Sequence, residues 1–121
     1  MRLIALRGAN TVPANEPAAI LAATDELMRA LLERNRLAAD DLVSCLFTLT
    51  ADLDAEFPAV AAREMGLSRV PLMCAREIPV PGSLPRVVRV LVHCYPPDDA
   101  EPQHVYLGEA ARLRLDLEGA Q

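Results

Sequence analysis

Apolar positions in this chain repeat at two different periods, and the change from one to the other marks the elements. Residues 2–7 (Arg-Leu-Ile-Ala-Leu-Arg) form a short, nearly continuous apolar run, which predicts a buried strand that stops at Gly8-Ala9-Asn10. From Glu16 to Arg34 the spacing becomes helical. Ile20, Leu27 and Leu31, flanked by Leu21, Met28 and Leu32, lie on one stripe, and Asp25, Glu26, Arg29 and Glu33 fall largely opposite. Asn15 is the expected N-cap, and Pro17 suits a first turn in which its missing N–H costs nothing.

After a polar turn at Asp40-Asp41, residues 42–49 read as a second strand and Thr50 to Asp54 as a loop. Pro58 and Gly66 bracket a short helix from Ala59 to Met65. Arg69 to Cys74 is the expected third strand, and Pro79 to Ser83 a rigid turn. Val87 to Tyr95 is expected to be the longest strand, ended by Pro96-Pro97-Asp98-Asp99. His104 to Leu107 is the fifth, followed by a short turn of helix and an arginine-containing tail. The pattern shows no repeat, low-complexity segment or linker.

This is an α+β pattern: a mixed β-sheet with one long and one or two short helices, in a single domain spanning 1–121. The layers do not balance. Val87 to Tyr95 is apolar on both faces apart from Arg89 and His93, and one long helix covers only one face of a sheet. Burial against further copies of the chain resolves this, so the pattern predicts an oligomer.

Composition narrows the function classes. Of 121 residues, 52% are hydrophobic and 24% charged, which is the balance of a globular protein. A net charge of −5 argues against nucleic acid or an anionic membrane as partner. Two Phe and two Tyr are too few for a base-stacking platform. Three cysteines (Cys45, Cys74, Cys94) cannot all pair within one chain and form no C-x-x-C, which fits reduced thiols in a cytoplasmic protein. Leu3 to Leu6 is too short for a signal-peptide core, and no apolar run approaches the roughly 20 residues of a membrane helix.

All twelve basic side chains are arginine. A biased code explains that preference but not where the arginines sit. Arg89 lies inside Val87-Val88-Arg89-Val90-Leu91-Val92, where a guanidinium is costly unless an anion meets it. Arg7 ends the first strand and poses the same question. Each arginine either pairs with an internal carboxylate, points from a strand into water, or helps to grip an anionic ligand. Glu77 is either solvated, paired with Arg76 or Arg89, or functional. No second carboxylate stands at glycosidase spacing, no nucleophile elbow accompanies the Ser, His and Asp residues, and no phosphate loop is present. Cys74, His93, Cys94 and His104 lack the spacing of zinc ligand pairs, so no metal is expected. The residues alone imply an oligomeric α+β protein able to bind a small carboxylated molecule.

Several segments resemble the small trimeric chorismate mutases, the AroH class. They are Leu6-Arg7-Gly8-Ala9, Phe57-Pro58-Ala59 with Arg63, and Arg69-Val70-Pro71-Leu72. The run from Cys74-Ala75-Arg76-Glu77 through Pro81-Gly82-Ser83-Leu84 to Arg89-Val90 matches as well, as do His104-Val105-Tyr106-Leu107 and Leu113-Arg114. The resemblance runs from about residue 2 to about 118, with similar gaps.

That resemblance implies a pseudo-barrel homotrimer with active sites at subunit clefts. It implies the Claisen rearrangement of chorismate to prephenate, on the route to phenylalanine and tyrosine, with no cofactor. By matching motif, Arg89 is the cation at the breaking ether bond, Arg7 and Tyr106 bind carboxylate, and Glu77 meets the ring hydroxyl beside Cys74. Phe57, Ala59, Leu72, Met73 and Leu113 match the pocket wall, and Arg63 and Arg114 match peripheral cations. Three positions depart from the family pattern: Val60 where relatives can carry lysine, Ala5 for a glycine, and Leu115 for a proline. A second reading, a trimer that binds a carboxylated metabolite without converting it, keeps the arginines but has no use for Glu77.

Overall fold

The structure, a computed structural model, describes residues 1–113. Five strands form one mixed sheet: β1 (Ile4–Thr11), β2 (Leu42–Leu49), β3 (Leu72–Arg76), β4 (Val87–Cys94) and β5 (Val105–Tyr106). Their order is β3-β2-β4-β1-β5, with β4 central. β4 runs antiparallel to both neighbours, while β2–β3 and β1–β5 are parallel pairs. The long helix α1 (Pro17–Arg34) and the short α2 (Ala59–Glu64) pack against each other beside the sheet.

The helical spacing of α1 sets its buried stripe: Ile20, Ala23, Thr24, Leu27, Met28 and Leu31. They meet Leu6, Phe47, Val88, Val90, Val92 and Cys94, one alternating set from each of β1, β2 and β4. Burying side chains of this size contributes roughly 1.5–3 kcal/mol each, which makes this layer the main source of stability. Polar ties fix the helix at its middle and at its C-terminal end. The buried Asn10 amide donates to Ala23 O (3.1 Å) and Glu26 Oε1 (2.9 Å). Asn35, just past α1, donates to Leu31 O and Gln103 O and accepts from Gln103 N–H, which sets the approach to β5.

Several boundaries differ from the sequence expectation, each for a physical reason. β1 continues through Gly8, Ala9 and Asn10, which pair with Val90, Arg89 and Val88. Gly8 is a close-approach glycine rather than a stop, because a Cβ there would lie 2.9 Å from Leu31 Cδ1 and 3.0 Å from Leu27 Cδ1. Glu16, not Asn15, is the N-cap residue of α1. The Asn15 side chain instead accepts from the N–H groups of Asp54 (2.9 Å) and Ala55 (3.0 Å), and so clamps the loop leading to Phe57. β3 begins at Leu72, not Arg69, because residues 67–70 close a turn through Val70 N–H to Leu67 O. At eight residues, β4 equals β1 and β2 in length instead of exceeding them.

Both helices lie on one side of the sheet, so the other face is open. Register places its side chains in rows. One row runs Ala75, Thr48, Arg89, Ala9, Tyr106; the next runs Met73, Leu46, Leu91, Arg7; the third holds Ser44, His93 and Ala5. Among the described residues, only the end near Val87 is capped, by Leu84, Ala110, Leu113 and Tyr106. Among the described residues, no helix is long and apolar enough to cross a membrane.

Candidate active site

Arg89 stands at the middle of the central strand and points to the open face. The start of β4 is pinned by Arg86, whose positive φ (50°) is held by its neighbours. Its N–H donates to the Asp52 carboxylate (3.0 Å), its Nε to Val12 O (3.1 Å), and its carbonyl accepts from Val12 N–H (2.8 Å). Three residues later the alternation brings Arg89 between Ala9 and Thr48, both small enough to leave room above the strand.

Arg89 meets Glu77. Nε donates to Glu77 Oε1 at 2.9 Å and Oε2 at 3.0 Å, and Thr48 Oγ1 donates to Oε2 at 2.9 Å. Glu77 arrives there because its N–H donates to Leu49 O (3.0 Å), which extends the β2–β3 pairing past the end of β3. The carboxylate is 17% exposed and the guanidinium 35%, so the pair is partly shielded from water. Among the described residues, no hydrogen bond reaches the terminal nitrogens of Arg89, and Arg7 has no ion-pair partner. A guanidinium held by Nε alone keeps its other donors for a ligand.

Arg7, Thr48 and Arg89 border a cavity of about 340 Å³, lined also by Ala9, Leu46, Tyr106 and Leu113 among others. That size suits a small single-ring metabolite. The arginine that sequence left between an ion pair and an anion site is ion-paired and also lines the cavity. The Arg7 backbone N–H donates to His104 Nδ1 (3.0 Å), which ties the Arg7 strand to the segment entering β5.

The remaining expected site residues are elsewhere in this chain. Phe57 and Cys74 line a second hollow of about 350 Å³ with Leu53, Pro58 and Arg76. Cys74 and Leu72 face the helix layer, one alternation step away from the face of Arg89, whereas Met73 lies on the open face. Phe57 (67% exposed) and Met73 (68%) are large apolar side chains left uncovered. Ala59 is buried and Arg63 exposed, and neither lines these two hollows. Arg114 and Leu115 lie outside the described residues. One chain thus joins Arg7, Glu77, Arg89, Tyr106 and Leu113, and does not bring Phe57, Ala59, Arg63, Leu72 or Cys74 to them.

Sequence reasoning missed Thr48 and Leu46. Their signal is the strand register that sets them beside Arg89 and Leu91, and register is not readable from residue types. Burial pushes the Cys45 thiol up to about 12, helped by neighbouring Cys94. Burial likewise raises Cys94, with Asp41 adding to it. Both thiols face away from the cavity. Among the described residues, no three His, Cys, Asp or Glu side chains are grouped as a metal site.

Comparison with known proteins gives concordant matches. The family model for type I chorismate mutases matches residues 3–117. The chain is 53% identical to the chorismate mutase AroH of Thermus thermophilus, over 96% of this chain and 97% of that protein. It is 38% identical to its counterpart in Bacillus subtilis (strain 168), over 97% and 94%. Among solved structures, a chorismate mutase from Clostridium thermocellum superposes with a TM-score of 0.87 at 46% identity, covering 90% of this chain and 98% of that one.

Proposed function

The chain belongs to the type I chorismate mutase family, and we propose that it converts chorismate to prephenate in a site completed by a neighbouring copy. The observation that carries this reading is the Arg89–Glu77 ion pair, whose arginine lines a mainly apolar cavity together with Arg7.

The reaction is an intramolecular rearrangement. An ether C–O bond breaks as a C–C bond forms within one molecule, and no proton or group passes to the protein. Its chemistry calls for no cofactor and no nucleophile. The protein has to hold the substrate in a compact chair and oppose the charge that develops. Negative charge grows on the ether oxygen, so a fixed cation there favours the transition state over the ground state. The terminal nitrogens of Arg89, to which no described residue bonds, supply it. Arg7 and Tyr106 take the substrate carboxylates. Glu77 retains lone pairs beyond the two bonds it accepts from Arg89 and Thr48, and receives the ring hydroxyl. Leu113 forms wall.

A homotrimer completes the site. The row containing Leu46, Leu91 and Met73 is apolar, with Leu46 and Met73 exposed, and Cys74 sits across the sheet from Arg89. Seating the β3 edge and the Phe57 hollow of one copy against the open face of the next covers that row and lets Phe57, Ala59, Arg63, Leu72 and Cys74 border the neighbour's arginines. The chain acts as one domain in each copy, and three free thiols suit a cytoplasmic setting.

The deciding experiment follows chorismate loss and prephenate appearance with purified protein and no added metal or cofactor. Turnover supports the mutase. Tight chorismate binding by folded protein without prephenate would replace it with the binding-protein reading.

A further inference from the structure

Among the described residues, Glu77 is held by very little. Its carboxylate accepts from Arg89 Nε, shared between both oxygens, and from Thr48 Oγ1. The last torsion of a glutamate is soft, so one shared N–H does not fix the plane of the carboxylate. The commonest arginine–carboxylate geometry is a two-pronged fork that engages two guanidinium nitrogens. Such a fork would take a terminal nitrogen that Arg89 needs for the substrate. The Thr48 bond to Oε2 stands against it. Thr48 can do this because a β-branched side chain on a strand has a stiff χ1, and register sets it directly beside Arg89.

We propose that Thr48 is a positioning residue of the rearrangement, whose hydroxyl fixes the Glu77 carboxylate so that it grips Arg89 by Nε and leaves the terminal nitrogens for the substrate. This rests on the mutase reading and adds to it a residue acting through Glu77.

The test is steady-state kinetics with chorismate on four proteins: the parent, Thr48→Val, Thr48→Ala and Thr48→Ser. Val keeps the shape and the strand preference but not the donor, so the sheet is retained, as a matched melting temperature shows. The expected result is a kcat about tenfold lower for Thr48→Val and Thr48→Ala, with KM within about threefold of the parent. Thr48→Ser, which keeps the hydroxyl, returns kcat to within about threefold. In a Glu77→Ala background, adding Thr48→Val changes kcat by less than about twofold, because the group it positions is gone. An active parent whose Thr48→Val and Thr48→Ala variants match it overturns the role of Thr48 alone, as does an equal tenfold loss in the Glu77→Ala background. A parent that makes no prephenate overturns the underlying reading as well.

Discussion

Glu77 holds Arg89 from the side, at Nε, with Oε1 at 2.9 Å and Oε2 at 3.0 Å. The ion pair therefore orients the guanidinium without consuming it. A buried arginine paired through its terminal nitrogens would be structural. Paired through Nε and bordering a cavity, it is a fixed cation with donors to spare.

Replacing Arg89 separates charge from geometry. Arg89→Lys keeps the charge but loses the planar donor set, and Arg89→Ala loses both. Each is expected to lower kcat by about 10²–10³ or more, while circular dichroism and gel filtration match the parent. Near-normal turnover by a folded Arg89→Ala protein would remove the mechanism.

The open face predicts its own test. Leu46 lies between Leu91 and Met73 in the apolar row. A carboxylate there costs nothing in a monomer, whose open face meets water, and is costly against another apolar face. Leu46→Glu is expected to shift the proposed trimer to monomer in analytical ultracentrifugation, retain its secondary structure, and lose turnover because the proposed shared site is left half built. A Leu46→Glu trimer of normal stability would show that copies meet elsewhere.

Some of this was legible in the sequence and some was not, for reasons that individual residues make clear. α1 was readable because Ile20, Leu27 and Leu31 repeat at the helical period, and Arg89 because an arginine among valines is costly. Gly8 was misread as a strand end because a residue type carries no sign of what packs over it; Leu27 and Leu31 lie 19 and 23 positions away. Thr48 stayed invisible because its partners come from register, a long-range property. Leu72 and Met73 seemed to form one wall, yet neighbours on a strand point to opposite faces. That alternation also puts Cys74 across the sheet from Arg89.

The thiols differ in environment and should differ in reactivity. Cys45 and Cys94 are buried with raised pKa values, whereas Cys74 is half-buried beside the Phe57 hollow. Only thiolate reacts. At pH 8 a disulfide reagent is expected to titrate Cys74 alone in the folded protein and all three cysteines in denaturant. Mass spectrometry locates the label, and rapid modification of Cys45 in the native state would contradict its burial.

Cys45 also ties stability to alkaline pH. In the fold its thiol is pushed up to about 12, against 9.0 for an ordinary cysteine, chiefly because burial disfavours the thiolate. Below pH 9 both folded and unfolded chains keep this proton, so stability does not depend on it. Between pH 9 and 12 the unfolded chain releases the proton and the folded chain retains it, so unfolding gains on folding as pH rises. The loss amounts to roughly 1 kcal/mol per pH unit in that window. Cys94, also raised, acts in the same direction. Cys45→Ala should be less stable near pH 8, because it leaves a small void, yet decline less steeply from pH 9 to 11 than the parent. Tyrosines titrate in both proteins, so the difference between their urea midpoints isolates the thiol. Measured at one protein concentration under reducing conditions, parallel declines would mean that Cys45 ionises in the fold as readily as it does in water.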